Sequence, residues 1–360
     1  MEQKHGGNIE SVAKKYNIHK ENIIDFSANI NFVGPPPDVY SRLKKELESI
    51  TRYPEMDSKT LKKKLANKYG FEKDNYIIGN GAVELIYILV KVLKPKQSLV
   101  YAPTFSEYEK ALSTVNSQIN YHYLKRENKF KLDVEELKAD LTDEIDLFFL
   151  CNPNNPTGNF ISKEEVKQIL KHNEKHNIFT IIDEAFVDFL DRNITAISLL
   201  KEYDKVFILR SLTKFFAIPG LRLGFGIGKQ GLIDKMNGFK DPWNVNILAQ
   251  KAGEIILNQD EYIKLTKKVI YKEKLFLYQE LKKIENIEVY YPNANYIFID
   301  LKNIGYNSTA VYEKLAKKGI LIRNCFNYRG LDDNHIRIAV KSREDNKKLI
   351  DKLKKLFTYK

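Results

Sequence analysis

"DLFFLCNPNNPTGNFISKEEVKQILKHNEKHNIFTIIDEA", residues 146–185, holds the unit on which the fold turns. An apolar run ends in a turn stiffened by two prolines and a glycine. Ser162 stands three residues before Glu165, the spacing of a capping box, which predicts a helix start. A second apolar run, "FTIIDEA", follows that helix. Strand, helix and strand, with both strands continuously apolar, predict parallel pairing in a sheet covered on both faces.

The pattern extends in both directions. "NYIIGN" (75–80), "SLVYAP" (98–103), "KVFILRS" (205–211) and "LGFGIG" (223–228) read as further strands. "AVELIYILVKVL" (82–93) and "FSEYEKALSTV" (105–115) read as helices. The expected architecture is therefore α/β. Residues 51–245 form a large three-layer domain around a mostly parallel sheet. Residues 1–50 form an N-terminal arm and helix, with the turn "GPPP" at 34–37, packing with a smaller domain. Residues 246–360 form that smaller domain. They open with charged helices and continue through "NYIFIDL", "ILIRNC" and "HIRIAV", which reads as α+β.

The totals agree with such a chain. Its 360 residues suggest two or three domains. Apolar residues at 43% and charged residues at 29% are ordinary globular values. No apolar run approaches the ~20 residues needed to span a bilayer. "MEQKHGGNIE" has no apolar leader, so no signal peptide is expected. Cys151 and Cys325 suggest neither a disulfide framework nor a zinc site. The expected place is the cytoplasm, with no metal and no membrane partner. The net charge is +12, but only ten of the 59 basic residues are arginine and the lysines are spread along the helices. Without a basic arm or a nucleic-acid motif, no nucleic-acid partner is expected.

Ligands on such sheets bind at the carboxyl ends of the strands. "SLTKFFAIPGLR", 211–222, follows one such end and sets Lys214 among small hydroxyls. Partial burial and nearby cations depress a lysine pKa and make its amine a nucleophile for an aldehyde. Arg222 suits bidentate phosphate binding, and Ser211 and Thr213 can donate to the same phosphate. Asp183 closes an apolar strand, where a carboxylate needs a partner; a pyridinium N–H serves. Asn155, in "CNPNNPTG", can aim its amide at a ring hydroxyl or a substrate carboxylate. The amides of Ala82 and Val83 open a helix after "GNG" and can face an anion. Phe105, just past a strand end, can stack on a flat ring.

Taken in order, phosphate turn, aromatic, Asn turn, Asp, Lys and Arg resemble the fold-type I pyridoxal-phosphate enzymes of the class I/II aminotransferase superfamily, over nearly the whole chain. The resemblance implies pyridoxal 5'-phosphate as cofactor, carried by Lys214 with Asp183 at the pyridine nitrogen. It implies Asn155 near the ring hydroxyl, Phe105 on the ring face, and Ala82, Val83, Ser211, Thr213 and Arg222 around the phosphate. Tyr53 resembles a tyrosine that reaches the neighbouring subunit's cofactor, which implies a homodimer with shared active sites.

Two branches of the superfamily match best, threonine-phosphate decarboxylases and histidinol-phosphate aminotransferases. Both act on phosphorylated amine or amino-acid substrates. Arg337 resembles the arginine for a substrate carboxylate, and Arg323 the one for a substrate phosphate. "HGGNIESVAKKYNI" followed by "DFSANIN" resembles the opening of the decarboxylases and implies His5 and Asn29 near the substrate. Phe186 stands where most of the superfamily has tyrosine, and this too matches the decarboxylases. One departure is "NFVG" at 31–34, with Phe32 where the decarboxylases have proline. A third reading, a non-catalytic regulator built on the same fold, finds no helix-turn-helix module ahead of "DFSANIN".

Overall fold

The computed structural model describes residues 6–190, 194–301 and 304–358. A seven-stranded sheet runs in the order Tyr76–Asn80, Leu223–Ile227, Val206–Ser211, Phe179–Asp183, Leu147–Cys151, Gln97–Ala102, Gln118–Tyr123. Leu223–Ile227 is antiparallel to both its neighbours. All other neighbours are parallel. The central strands are buried along their length except at Phe179, which is partly buried, as expected of strands covered on both faces. Register sets Cys151 opposite Asp183, and Asp183 opposite Leu209, two residues before the end of the next strand. The carboxyl ends of three strands therefore lie nearly level, and the turns that follow them face one place.

The helix Lys163–Lys175 begins as its sequence predicts. Glu165 N donates to Ser162 Oγ at 3.2 Å, and Ser162 N donates to Glu165 Oε2 at 2.6 Å.

A second, antiparallel sheet has the order Arg323–Asn324, His335–Ala339, Tyr296–Asp300, Glu288–Val289. Its core gathers Ile297, Ile336 and Leu349, and also Phe26 from the N-terminal arm. Ile24–Asp25 pairs in parallel with Ile320–Leu321. Phe26 N donates to Leu321 O at 2.7 Å, and Phe26 O accepts from Ala339 N at 2.8 Å. From Phe32 onward the chain packs on the large core instead, through Val33, Val39 and Leu43. The helix Ile247–Ile256 buries Ala249, Ala252 and Ile256 in that large core as well. The 22-residue helix Asp260–Leu281 starts there with Tyr262 and ends among the small-sheet residues with Leu277 and Leu281. No helix among the described residues is long and apolar enough to cross a membrane.

Candidate active site

A cavity of about 480 Å³ opens where the central strand ends meet the small sheet. One end of it is built to receive an anion. The helix Ala82–Leu93 starts there, and its N-cap is Gly81 at φ +82°, with no side chain to satisfy the first amides. Arg222 lies directly against Gly81: a Cβ added at 81 would sit 2.4 Å from the Arg222 guanidinium. A Cβ at Gly224 would sit 2.4 Å from Ala82 N. Both glycines are thus needed for helix start, arginine and strand to converge. Ser211 Oγ and Thr213 Oγ1 lie 2.9 Å apart on the same wall, and Lys214 Nζ donates to Thr213 Oγ1 at 3.2 Å.

The Lys214 amine gives up its proton far more readily than a free lysine. Burial, then the charges of Arg222 and Arg337, push its amine down to about 8, against the opposing pull of Asp183. The loop before it is fixed without a proline at 32. Asn31 N donates to Lys214 O at 3.1 Å, and Asn31 Nδ2 donates to Phe215 O at 2.8 Å. Tyr262 OH donates to Gly34 O at 2.6 Å, and Phe32 packs on the large core.

Asp183 lines the same cavity. Burial pushes its carboxyl up, opposed by two donors and by the Lys214 charge. The donors are Tyr108 OH at 2.7 Å on Oδ2 and Ala185 N at 2.9 Å on Oδ1. A carboxylate in that state is stabilised by a further cationic N–H. Tyr108 also meets Phe105 edge-on at 5.6 Å, so one side chain supports both the acid and the aromatic wall. Asn155 Oδ1 accepts from the Arg337 guanidinium and from Tyr328 OH at 3.2 Å. Phe186 lines the cavity and packs edge-on against Tyr296 at 5.1 Å, bringing no hydroxyl.

Two buried arginines face in from the small sheet. Arg337 donates to Ser27 O at 2.8 Å, while its Nε is buried without a partner among the described residues. Arg323 donates to Asn324 O at 2.6 Å and to Asn327 Oδ1 at 2.7 Å. Asn29 lines the cavity with its Oδ1 unpartnered among the described residues, and its carbonyl accepts from Asn295 Nδ2 at 3.1 Å. The chain opening closes this side. Gly7 N donates to Ser27 Oγ at 2.8 Å, and a Cβ at Gly6 would fall 2.2 Å from Ser27 O.

Of the residues singled out from sequence, Ala82, Val83, Phe105, Asn155, Asp183, Ser211, Thr213, Lys214, Arg222, Asn29, Arg323 and Arg337 all line this one cavity. Tyr53 does not: it is 78% exposed and stacks on Trp243 at 4.6 Å. His5 lies outside the described residues. Tyr108, Tyr328 and Ser27 were not singled out, since nothing local marks them.

The donor set fits pyridoxal 5'-phosphate. An amine near neutrality suits an aldehyde, the Gly81–Arg222 cradle suits a phosphate, and Asp183 suits a protonated ring nitrogen. The orphaned Arg337 Nε and Asn29 Oδ1 ask for polar atoms that the described residues do not supply.

Comparison with known proteins points the same way. The threonine-phosphate decarboxylase of Salmonella typhimurium is 35% identical over 98% of this chain and 96% of its own. A protein of Caldanaerobacter subterraneus subsp. tengcongensis, named provisionally for the same activity, is 38% identical over 94% of both chains. The crystal structure of histidinol-phosphate aminotransferase from Clostridium acetobutylicum superposes with a TM-score of 0.86 at 32% identity. It covers 92% of this chain and 98% of its own. The aminotransferase class I and II family matches residues 21–353, and the chain belongs to that family.

Proposed function

We propose that this protein decarboxylates L-threonine O-3-phosphate to (R)-1-amino-2-propanol phosphate, releasing CO₂, as a step of cobalamin biosynthesis. The observation that carries the reading is the chain opening: Gly6 and Gly7 fold onto Ser27 and line the cavity beside Arg323 and Arg337. Phe186 and the names borne by two of the relatives add support. Pyridoxal 5'-phosphate, when bound, supplies an aldehyde for the substrate amine and a ring that draws electrons from Cα.

The chain's own residues do the rest. Lys214 would hold the cofactor through its ε-amine and would carry the proton at Cα. Asp183 keeps a proton on the ring nitrogen. Arg222, Ser211, Thr213 and the amides of Ala82 and Val83 hold the cofactor phosphate. Arg323 anchors the substrate phosphate, with His5 as a second anchor, and Arg337 and Asn29 face the remainder of the substrate. With its phosphate anchored, the substrate carboxylate would be the group set for loss as CO₂, and Lys214 or water would supply the proton that replaces it at Cα. An error of an ångström in that aim can cost ~100-fold.

The similarity to the Clostridium enzyme favours a second reading, transamination of histidinol phosphate with 2-oxoglutarate. The test separates the two. Pure holoenzyme given threonine phosphate and no 2-oxo acid is expected to release CO₂ and form aminopropanol phosphate. Absence of CO₂, together with turnover of histidinol phosphate that depends on 2-oxoglutarate, overturns the decarboxylase reading.

The proposal includes a homodimer. Tyr40, Ile50, Tyr53, Met56 and Trp243 are large apolar side chains left exposed in the single chain. Tyr53 in that patch would complete the neighbour's cofactor site.

A further inference from the structure

Asn155 occupies the turn after Leu147–Cys151, and its Oδ1 takes two donors, the Arg337 guanidinium and the Tyr328 hydroxyl. A guanidinium has no acceptor, so the amide oxygen has to face it. The ambiguity that usually attends an asparagine side chain is removed here. The amide NH₂ is left to the cavity that Asn155 lines, as a fixed donor.

Tyr328 is itself firmly placed. It is buried, and its N donates to Cys325 O at 3.0 Å. Cys325 N in turn donates to His335 O at 3.0 Å, which ties the turn to the small sheet. The Arg323 guanidinium lies over the Tyr328 ring, 5.0 Å from its centroid. Its far side is held by Asn327. One side chain therefore touches both the asparagine that faces the cofactor and the arginine that faces the substrate phosphate.

We infer that Tyr328 is a positioning residue that couples these two grips: its hydroxyl fixes the Asn155 amide as a donor into the cavity, and its ring face aims Arg323. The inference rests on the roles proposed above for Asn155 and Arg323, and it goes beyond them by assigning a shared support.

The experiment uses holoenzyme carrying Tyr328→Phe, Asn155→Ala, both together, or Tyr328→Leu. The first readout needs no substrate: the pH titration of the bound cofactor's visible absorbance. Tyr328→Phe is expected to move the midpoint by about half a unit to one unit, the scale of one hydrogen bond. In the Asn155→Ala background the same change is expected to move it no further. The second readout is the KM for threonine phosphate. Tyr328→Phe keeps the ring and should leave it near its starting value. Tyr328→Leu should raise it about three- to tenfold, as loss of a cation–π contact predicts. An unmoved midpoint in Tyr328→Phe, or an equal shift with Asn155 already removed, overturns the inference. Equal KM values for the Phe and Leu variants overturn the link to Arg323. If threonine phosphate is not turned over at all, the functional reading falls while the titration still judges Tyr328.

Discussion

Burial, Arg222 and Arg337 hold the Lys214 amine near pH 8, so about a tenth of it is neutral at pH 7, against well under a thousandth for a free lysine. The same shift has a cost in the cofactor-free protein. In the unfolded chain the amine keeps its ordinary 10.5, so as pH rises the folded state gives up its proton first. Between about 8 and 10.5 the unfolded chain binds more protons, and stability rises with pH across that window. Below about 8 the buried charge is a full burden. Lys214→Met in cofactor-free protein should therefore raise the melting temperature at pH 7 by a few degrees, each kcal/mol being worth about 1–2 °C in a protein this size. The gain should fade as pH approaches 10.5. Calorimetry at several pH values checks this, and a gain independent of pH would refute it. Lys214, Asp183, Asn155 and Arg222 could be singled out in the sequence because each sits at or near the end of an apolar strand run, where a polar residue is out of place unless used. Tyr108 and Tyr328 were not. Their roles depend on hydroxyls reaching Asp183 and Asn155, 75 and 173 positions away, and a tyrosine in a helix or turn otherwise reads as packing.

Between residue and molecule stand the elements, and the decisive one is the start of Ala82–Leu93. Its first amides reach the cavity because Gly224 has no side chain: a Cβ there would fall 2.4 Å from Ala82 N. The obstruction is backbone and cannot rotate away. Gly224→Ala should displace the helix start, costing about 1–3 kcal/mol of stability as overpacking does. It should weaken cofactor retention at least tenfold, measured by equilibrium dialysis. A variant that melts like the parent and keeps its cofactor would contradict this account. The apolar central strands announced themselves in the sequence, as did the helix capped by Ser162. The edge strand Gln118–Tyr123 escaped notice because only His122 along it is buried, so its alternation of Gln, Asn and His resembles a loop. The short helix Val134–Asp140 escaped too: two buried residues make a stripe too brief to read.

For the molecule as a whole, the apolar patch around Tyr53 and Trp243 predicts self-association. Ile50, three residues before Tyr53, is 63% exposed, so Ile50→Asp should leave the fold intact. In sedimentation equilibrium the variant should shift from dimer toward monomer, and it should lose cofactor more readily, since Tyr53 would no longer reach its neighbour. A parent protein that is already monomeric would exclude the shared site. The sequence pattern switches after residue 245, yet Ala249, Ala252, Ile256 and Tyr262 still pack in the large core, and the route of the chain between the two cores was not foreseeable. Nothing in "IIDF" says that it will lie beside "ILIR". That pairing, Ile24–Asp25 against Ile320–Leu321, spans nearly 300 residues. On a ribosome adding ~5–20 residues per second, the arm emerges first and waits about 15–60 s for its partner strand. Phe26 has no burial site of its own during that interval. Nascent chains stalled before residue 320 should therefore display an apolar N-terminal segment to chaperones and proteases. A strand made nearly 300 residues later is what finally shelters Phe26.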